Sequence, residues 1–406
     1  MLNFSYVARD PTTGEKVKAD LQAPSQAAAA KMIRDQGLAP LEIVAEAKES
    51  KGGIGKFFNR VKTKDKVLFS RQLATLINAG LPLVQSLRSV AGQATNKRLK
   101  VVIDQVITDV EAGSSLSASL ARHPSVFNEV YVNLIAAGET SGTLDKALER
   151  LATQQEKDAE IISKVRGAMV YPAIVIFVMI LVVGFMVVKV VPQVQILYRD
   201  IPGATLPLVT RILLGVSHIL VKFWWLMIIL FGLIVFGTTR WARTLGGKRI
   251  IDRLKMKMWP IGGLFMKMYM ARFARTGTTL VASGVPLIQM LEITANGINN
   301  VHIADSIKAA TEKVKGGKSL SEALKGDPNF LELVPNMLRV GEQSGAIEQM
   351  LSKTADYYER EVDNEIKAIS TVIEPVLMII LGIVAFTIVA AVLLPIYGLA
   401  GKTLIH

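Results

Sequence analysis

The segment FSRQLATLINAGLPLVQSL, residues 69–87, recurs in altered form as FARTGTTLVASGVPLIQML, residues 273–291. In the first segment, apolar residues at helical spacing lead to Gly80, which suits the position just after a helix end, where a positive φ is needed. Pro82 suits the first turn of the following helix, because its missing N–H costs nothing there. The pattern predicts a helix–turn–helix corner here and, at Gly284 and Pro286, a second one.

The two corners belong to a longer duplication. With one single-residue gap, residues 69–192 correspond to residues 273–395, and GETSG at 138–142 corresponds to GEQSG at 341–345. In each copy a polar block leads directly into an apolar run. The chain is therefore predicted to contain one unit twice, each a soluble helical bundle followed by a membrane-spanning helix.

Three apolar runs are candidates for membrane spans. Residues 169–188 and 375–401 contain no charge, and about 20 such residues suffice to cross the hydrocarbon core. The middle run, at 223–239, is shorter, so a span beginning near residue 220 requires Lys222 to extend its amine to the interface. A buried core helix or an interfacial hairpin is the alternative for this run.

The distribution of charge predicts the orientation of the spans. Residues 238–258 hold seven Lys or Arg against one acidic residue, whereas the connection at 192–218 is poor in charge. The positive-inside rule places the basic stretch in the cytoplasm. Both bundles and the N-terminus are then cytoplasmic, the C-terminus lies outside, and the chain is a multi-pass membrane protein.

The net charge of +13 indicates an anionic partner, either nucleic acid or an anionic membrane surface. The basic excess lies beside the predicted spans, which favours contact with anionic lipid. Nucleic acid is not expected as a partner, because the basic stretches lack the interleaved aromatic residues on which bases would stack.

The fold class predicted is mainly α, with two repeated cytoplasmic six-helix bundles, three transmembrane helices and a small N-terminal α+β module. The predicted boundaries are an N-terminal module at 1–45, a linker at 46–62, a first bundle at 63–168, a transmembrane helix at 169–191, an external loop at 192–218, a second transmembrane helix at 219–239, a basic connection with the second bundle at 240–371, a third transmembrane helix at 372–397 and an external tail at 398–406.

Candidate chemistry is sparse. The chain has no Cys and four His, none at a metal-binding spacing, and no Ser/His/Asp set or pair of catalytic carboxylates is apparent. We therefore expect no catalytic residue, no cofactor and no resident metal. Glu139 and Glu342 leave alternatives open: each lies either in a structural corner, with the following Ser capping the next helix, or on a partner surface, or near a divalent cation.

Two dipeptides mark the entry to the repeated spans. Tyr171 and Pro172 correspond to Glu374 and Pro375, and each Pro predicts a kink or a helix start. An ionisable Glu374 at membrane depth indicates either a functional group facing protein or a group at the wet interface.

The two FxRxxxxLxxxGxPLxQxL corners, the two GExSG motifs, LPLVTRILL at 206–214 and LLPIYGLAG at 393–401 resemble the GspF/PilC family of type IV pilus and type II secretion platform proteins. The resemblance covers nearly the whole chain, and residues 69–87 are more similar to the pilus branch. The resemblance implies that the protein has no catalytic activity of its own and that it self-associates. It also implies contact with an assembly or retraction ATPase hexamer, pilin subunits and alignment-complex proteins of the inner membrane. The candidate partner-contact or structural-motif positions are Arg71, Gly80, Pro82, Glu139, Gly142, Arg275, Gly284, Pro286, Glu342 and Gly345.

Three other functions compete with a pilus platform that moves its partners. A type II secretion platform would carry the same motifs, and a receptor or passive scaffold would have the same sequence features. A transporter should have more spans and a polar path at mid-membrane, which three spans with few charges do not favour.

Overall fold

The computed structural model describes residues 2–9, 16–23, 26–35, 37–46, 61–193, 196, 208–242 and 244–403. It divides into two units, Met1–Val61 and Lys62–His406. Most of the predicted linker at 46–62, part of the predicted loop at 192–218 and the end of the predicted tail at 398–406 lie outside the described residues.

The first unit combines an antiparallel sheet with one helix. Its elements are β1 (Leu2–Arg9), β2 (Lys16–Ala23), α1 (Gln26–Asp35) and β3 (Ala39–Glu46), and the strand order is β2-β1-β3. Tyr6 and Ala8 lie two residues apart on β1, so they share one face of the sheet. Both are buried in a small core with Ile33 of α1.

The first copy of the repeat contains six helices, as predicted. They are α2 (Thr63–Asn78), α3 (Leu83–Gln93), α4 (Lys97–Glu111), α5 (Leu116–Ala121), α6 (Glu129–Ser141) and α7 (Leu144–Phe185), which continues as a π-helical turn at Met186–Val190.

In the described part of the connection between the copies there are three helices, and six more form the second copy. The connecting helices are α8 (Leu208–Lys222), α9 (Trp224–Trp241) and α10 (Leu245–Lys257). The second copy comprises α11 (Gly262–Ala282), α12 (Leu287–Gly297), α13 (Val301–Lys315), α14 (Leu320–Leu324), α15 (Leu333–Ser344) and α16 (Ile347–Thr403).

The cores of the two bundles use corresponding aromatic residues. Phe69 on α2 lies 5.7 Å, between ring centroids, from Phe127, and Phe273 on α11 lies 5.2 Å from Phe330. Phe127 and Phe273 are among the largest fully buried side chains. The duplication of sequence is thus a duplication of packing, because the same helix is held against the same turn in each copy.

The predicted corners form, with one shift. Gly80 and Gly284 have φ values of 83° and 80°, the left-handed backbone that favours glycine. Pro82 and Pro286 cap α3 and α12 instead of lying in their first turns, because a ψ near 145° keeps each Pro outside the helix. The correction is one residue, and each Pro carbonyl still accepts the first helical hydrogen bond.

Within the described residues, three helices are long and apolar enough to cross a membrane: Leu144–Gln193, Trp224–Trp241 and Ile347–Leu393. The first and third begin inside the bundles, so the predicted division between a bundle and its span is not a break in the helix. α7 has 42 residues and α16 has 57. At 1.5 Å per residue they are about 63 and 85 Å long.

The prediction that a helix starts at each of the two prolines is therefore wrong. Pro172 lies inside α7 and Pro375 inside α16. Each Pro removes one backbone hydrogen bond, but the surrounding long apolar helix is retained. Proline is tolerated in such helices because neighbouring groups and small local adjustments satisfy the freed carbonyl.

The region between the copies and the end of the chain differ from the predicted boundaries in three ways. α9 begins at Trp224, and Lys222 ends α8, because Phe223 (φ −115°, ψ 22°) interrupts the helix. The predicted external loop contains α8, whose buried Thr210 hydroxyl donates to the Ala391 carbonyl of α16 at 3.0 Å. α16 also continues to Thr403 through most of the predicted tail, since the apolar run has no strong stop signal before Gly401.

A glycine substitution tests the repeat packing. A Cβ atom at Gly138 would lie 2.5 Å from the Cβ of Ala147, so Gly138→Ala must push α6 and α7 apart. We expect the free energy of unfolding to fall by about 1–3 kcal/mol. Thermal unfolding of the full chain in detergent, followed by circular dichroism, measures the change.

The matched control is Gly92→Ala on α3, where an added Cβ meets nothing within 4 Å. It should raise stability by about 0.5–1 kcal/mol, since alanine is the better helix former. Equal effects of the two substitutions would contradict close packing at Gly138.

Candidate functional site: the paired bundles and their long helices

Arg71 ties the first helix of the first copy to the long helix α7. Its Nε donates to Glu156 at 2.6 Å, and its terminal nitrogens donate to Glu156 and Glu149 at 2.5 Å and to the Thr153 hydroxyl at 3.2 Å. The hydrogen bond to Glu156 contributes most to raising the pKa of Arg71 above its ordinary value. The guanidinium is therefore engaged within the chain.

Arg275 repeats this contact in the second copy. Its Nε donates to Glu359 at 2.8 Å and a terminal nitrogen donates to Asp356 at 2.6 Å, both on α16. Burial alone would lower the pKa of Arg275, but the hydrogen bonds to Glu359 and Asp356 outweigh it and raise the pKa. Since guanidinium geometry fits two acceptors at once, each Arg fixes the angle between its two helices.

We call these two contacts the arginine clamps, defined by Arg71 with Glu156 and Arg275 with Glu359. Their acceptors correspond in the repeat register: Glu156 matches Glu359. The structure thus places both predicted arginines in intramolecular ion pairs, the alternative to a partner contact. Direct contact between either arginine and a partner stays a prediction.

Glu139 caps a neighbouring short helix. Its carboxylate accepts hydrogen bonds from the Leu116 amide at 2.5 Å, from the Ser117 amide at 3.1 Å and from the Ser117 hydroxyl at 2.5 Å. The Ser115 hydroxyl accepts from the Ala118 amide. The first free amides of α5 are thereby satisfied, which every helix start requires.

Glu342 has the same role in the second copy. It accepts from the amides of Leu320 and Ser321 and from the Ser321 hydroxyl. Donors surround both carboxylates, whereas a bound cation would need further oxygen ligands. Among the described residues, no group of three His, Cys, Asp or Glu could hold a metal ion. Both carboxylates are thus accounted for as helix caps.

The rest of each GExSG motif closes α6 and α15. Gly142 and Gly345 are the left-handed caps, with φ values of 69° and 70°. The predicted Ser cap is wrong: the Ser141 hydroxyl donates backwards to the Ala137 carbonyl, and Ser344 does the same to Val340. These serines lie in the last helical turn, where the free acceptors belong to their own helix.

The two bundles pack directly against each other through polar contacts. The buried Gln154 amide of α7 donates to the Thr276 hydroxyl of α11 at 2.9 Å. Nearby, Lys164 of α7 donates to Asp363 of α16 at 2.7 Å. These contacts join one copy's long helix to the other copy.

Apolar packing completes this interface. Leu264, Val362, Ile366 and Ile369 of the second copy form a buried cluster, against which Ile161, Val165 and Ala168 of α7 pack. At the far end, an added Cβ at Gly297 would lie 2.5 Å from a methyl group of Val130. The long helices therefore meet just before their most apolar segments.

Three of the four residues singled out at the start of those segments are exposed. Tyr171 and Glu374 are exposed, Pro172 is buried and Pro375 is exposed. Glu374 is thus not enclosed by the described part of this chain, which leaves lipid headgroups, water or another protein to meet it.

Sequence reasoning did not find the interface between the copies. Gln154, Lys164 and Thr276 are ordinary helix residues in the sequence, and their pairing depends on how two bundles meet. One signal was present: Thr276 and Gly297 stand where the first copy has Gln72 and Gln93. Small residues in one copy at a shared register indicate close approach by another helix.

The chain is similar to a known protein family in both copies of the repeat and in the N-terminal unit. The sequence model described as "Type II secretion system (T2SS), protein F" matches residues 69–192 and 273–395, and the N-terminal domain model of the same protein matches residues 1–44. The chain belongs to the type II secretion system protein F family. The two matches to one model are the two copies of the repeat, including both arginine clamps and both capping glutamates.

Individual members of the protein F family are similar along nearly their whole length. The chain is 39% identical over 406 residues to the type IV pilus assembly protein PilC of Thermus thermophilus, covering 98% of each chain. It is 36% identical to PilC of Pseudomonas aeruginosa, covering 90% of this chain and 97% of that one. It is 35% identical to the type II secretion system protein F of P. aeruginosa, covering 98% and 99%.

Membership of the protein F family and the three apolar helices together indicate an inner-membrane protein of a type IV pilus or type II secretion system. The family is one of structural platform proteins, which agrees with the expectation of a non-enzyme.

Replacing a capping glutamate tests the structural role of the GExSG motif. Glu342→Ala leaves the first amides of α14 without an acceptor, and hydrogen bonds to a charged group contribute about 1.5–3 kcal/mol. We expect a lower midpoint of thermal unfolding for Glu342→Ala and, in the first copy, for Glu139→Ala. Gln343→Ala, at an exposed neighbour, should leave the midpoint unchanged. A normal midpoint together with lost filament assembly would instead assign Glu342 to a partner surface.

Proposed function

We propose that this protein is the inner-membrane platform of a type IV pilus assembly machine, where it couples a cytoplasmic hexameric ATPase to the insertion or extraction of pilin subunits. The pilus branch is favoured by similarity, since relatives named PilC reach 39% identity and those named type II secretion protein F reach 35%. The alternative is the corresponding platform of a type II secretion system. A transporter has no support among these relatives.

One observation carries the mechanical part of the proposal: α7 and α16 each run without interruption from a packed bundle into an apolar segment. A force that displaces a bundle is therefore passed along a hydrogen-bonded helix into the membrane. The arginine clamps prevent α2 and α11 from sliding along these helices. An ATPase would act on the bundles, and pilin helices would meet the apolar segments.

The proposed topology follows from charge. α9 and α10 together carry six Lys or Arg and one Asp. All seven of these charged residues follow residue 239, at the C-terminal end of α9 and in α10. By the positive-inside rule, this end faces the cytoplasm. Two crossings between the bundles then return the chain to its starting side, so both bundles and the N-terminus are cytoplasmic and the C-terminus is outside.

Further partners follow from the family. We include self-association, alignment-complex proteins of the inner membrane and membrane lipid in the proposal, and we expect no role in nucleic-acid binding. The interface between the copies supports a rigid platform, because its polar pair at Gln154 and Thr276 is buried and its ends are closed by apolar packing.

A proline in α16 tests whether helix continuity matters. Thr371 is exposed and lies one turn before Pro375, so Thr371→Pro removes a second backbone hydrogen bond near the same place. An interior proline costs about 3 kcal/mol of helix stability or more. We expect surface filaments to disappear, as counted by electron microscopy, while the amount of protein in the membrane stays normal.

The control is Thr371→Ala, which removes only the hydroxyl that donates to the Lys367 carbonyl and should leave filaments unchanged. Normal filament numbers with Thr371→Pro at normal membrane levels would refute coupling through α16. Deletion of the whole chain separates the branches: loss of filaments supports the pilus machine, and loss of secreted folded enzymes with filaments intact supports the secretion machine.

A further inference from the structure

Helix α10 has one face fixed to the second bundle. Asp252 is only 2% exposed, and its carboxylate accepts the Val301 amide at 3.1 Å, which caps α13. Beside it, the Arg249 carbonyl lies 2.9 Å from Nε2 of His302. These contacts set the rotation of α10 about its axis, so the direction of its opposite face is defined.

The opposite face of α10 is an apolar stripe open to the surroundings. Ile250 and Leu254 are each 58% exposed and lie one helical turn apart, and Met258 continues the same line. Trp259, the next residue, is 79% exposed. Several large apolar side chains in a row on a protein surface usually mark a contact with another apolar phase or partner.

Positive charge borders this stripe. α10 contains five basic residues and one acidic residue, and that acidic residue, Asp252, is turned inward. Arg253 and Lys257, beside Leu254, are exposed. An apolar line with a basic border is the pattern of helices that lie in a membrane surface, since it matches acyl chains below and phosphate groups above.

The position of α10 selects lipid over other apolar partners. α9, a candidate membrane span, ends at Trp241, and α10 begins at Leu245. The two helices contact each other, as α10 does α11. A helix that starts within four residues of the end of a membrane span must lie close to the level of the lipid headgroups.

Resting on the membrane crossing of α9 in the proposed function, we propose that α10 lies in the surface of an anionic leaflet, with Ile250, Leu254 and Trp259 inserted among the upper acyl chains and Arg253 and Lys257 bound to lipid phosphates. Asp252 then connects this lipid contact to the start of α13. The second bundle is held at a fixed height above the membrane by α10 in addition to α16.

Site-directed spin labelling tests this placement, because the chain has no Cys and a single introduced thiol is labelled alone. Leu254→Cys and the control Lys308→Cys, exposed on α13, are labelled in the full chain and placed in nanodiscs of phosphatidylcholine with or without phosphatidylglycerol. Accessibility to molecular oxygen reports the acyl region, and accessibility to a water-soluble nickel chelate reports water.

In nanodiscs with phosphatidylglycerol, the label at 254 should be reached at least several-fold better by oxygen than by the nickel chelate, and the label at 308 should show the reverse. Equal nickel accessibility at the two positions would overturn the proposal and leave the stripe for a protein partner.

The charge border is tested with Arg253→Gln and Lys257→Gln in the Leu254→Cys background. The label should become shallower in nanodiscs with phosphatidylglycerol and match its depth in phosphatidylcholine alone. A depth that is the same in both lipids before this change would overturn the assignment of an anionic partner. Circular dichroism of each variant confirms that the helical fold is intact.

Discussion

The continuity of α7 and α16 is the constraint on which the rest of the structure depends. The backbone N–H of each residue in a helix donates a hydrogen bond to the carbonyl four positions earlier. A bundle and its apolar segment therefore cannot move independently unless the helix bends or breaks. The arginine clamps add a second link, between the first helix of each copy and its long helix. The bundle is thereby attached to the membrane segment through both ends of its own sequence.

The two copies share a fold but present different faces to each other. The first copy uses α6 and α7, and the second uses α11, α12 and α16. Thr276 and Gly297 make room for this contact, whereas the corresponding Gln72 and Gln93 of the first copy hydrogen bond to each other at 2.8 Å. The duplicated unit has thus diverged where contact between the copies demands it, and has kept its clamps and caps where each bundle holds itself together.

Much of this arrangement could be predicted from the sequence, because local patterns have local causes. Gly80 and Gly284 need left-handed backbone, and this requirement predicts the corners. The two apolar runs of the repeat predict membrane helices, and the periodicity of the polar blocks predicts about six helices per copy. Wrong predictions arose where a local signal was overruled. Pro172 and Pro375 predicted a kink or a helix start, yet no helix starts at either, because a long apolar helix tolerates one missing hydrogen bond. Contacts such as Gln154 with Thr276 could not be predicted, since they depend on the docking of two finished bundles.

The most direct test of a single rigid body made of both bundles is a distance between them in a membrane. Spin labels at Lys100→Cys on α4 and Lys308→Cys on α13, in the full chain in nanodiscs, are measured by double electron–electron resonance. One narrow distance distribution, centred on the separation in this structure, is the result that packed bundles on one side of the bilayer require. A broad or two-peaked distribution, or a separation that needs the roughly 30 Å hydrocarbon core to lie between the labels, would contradict it.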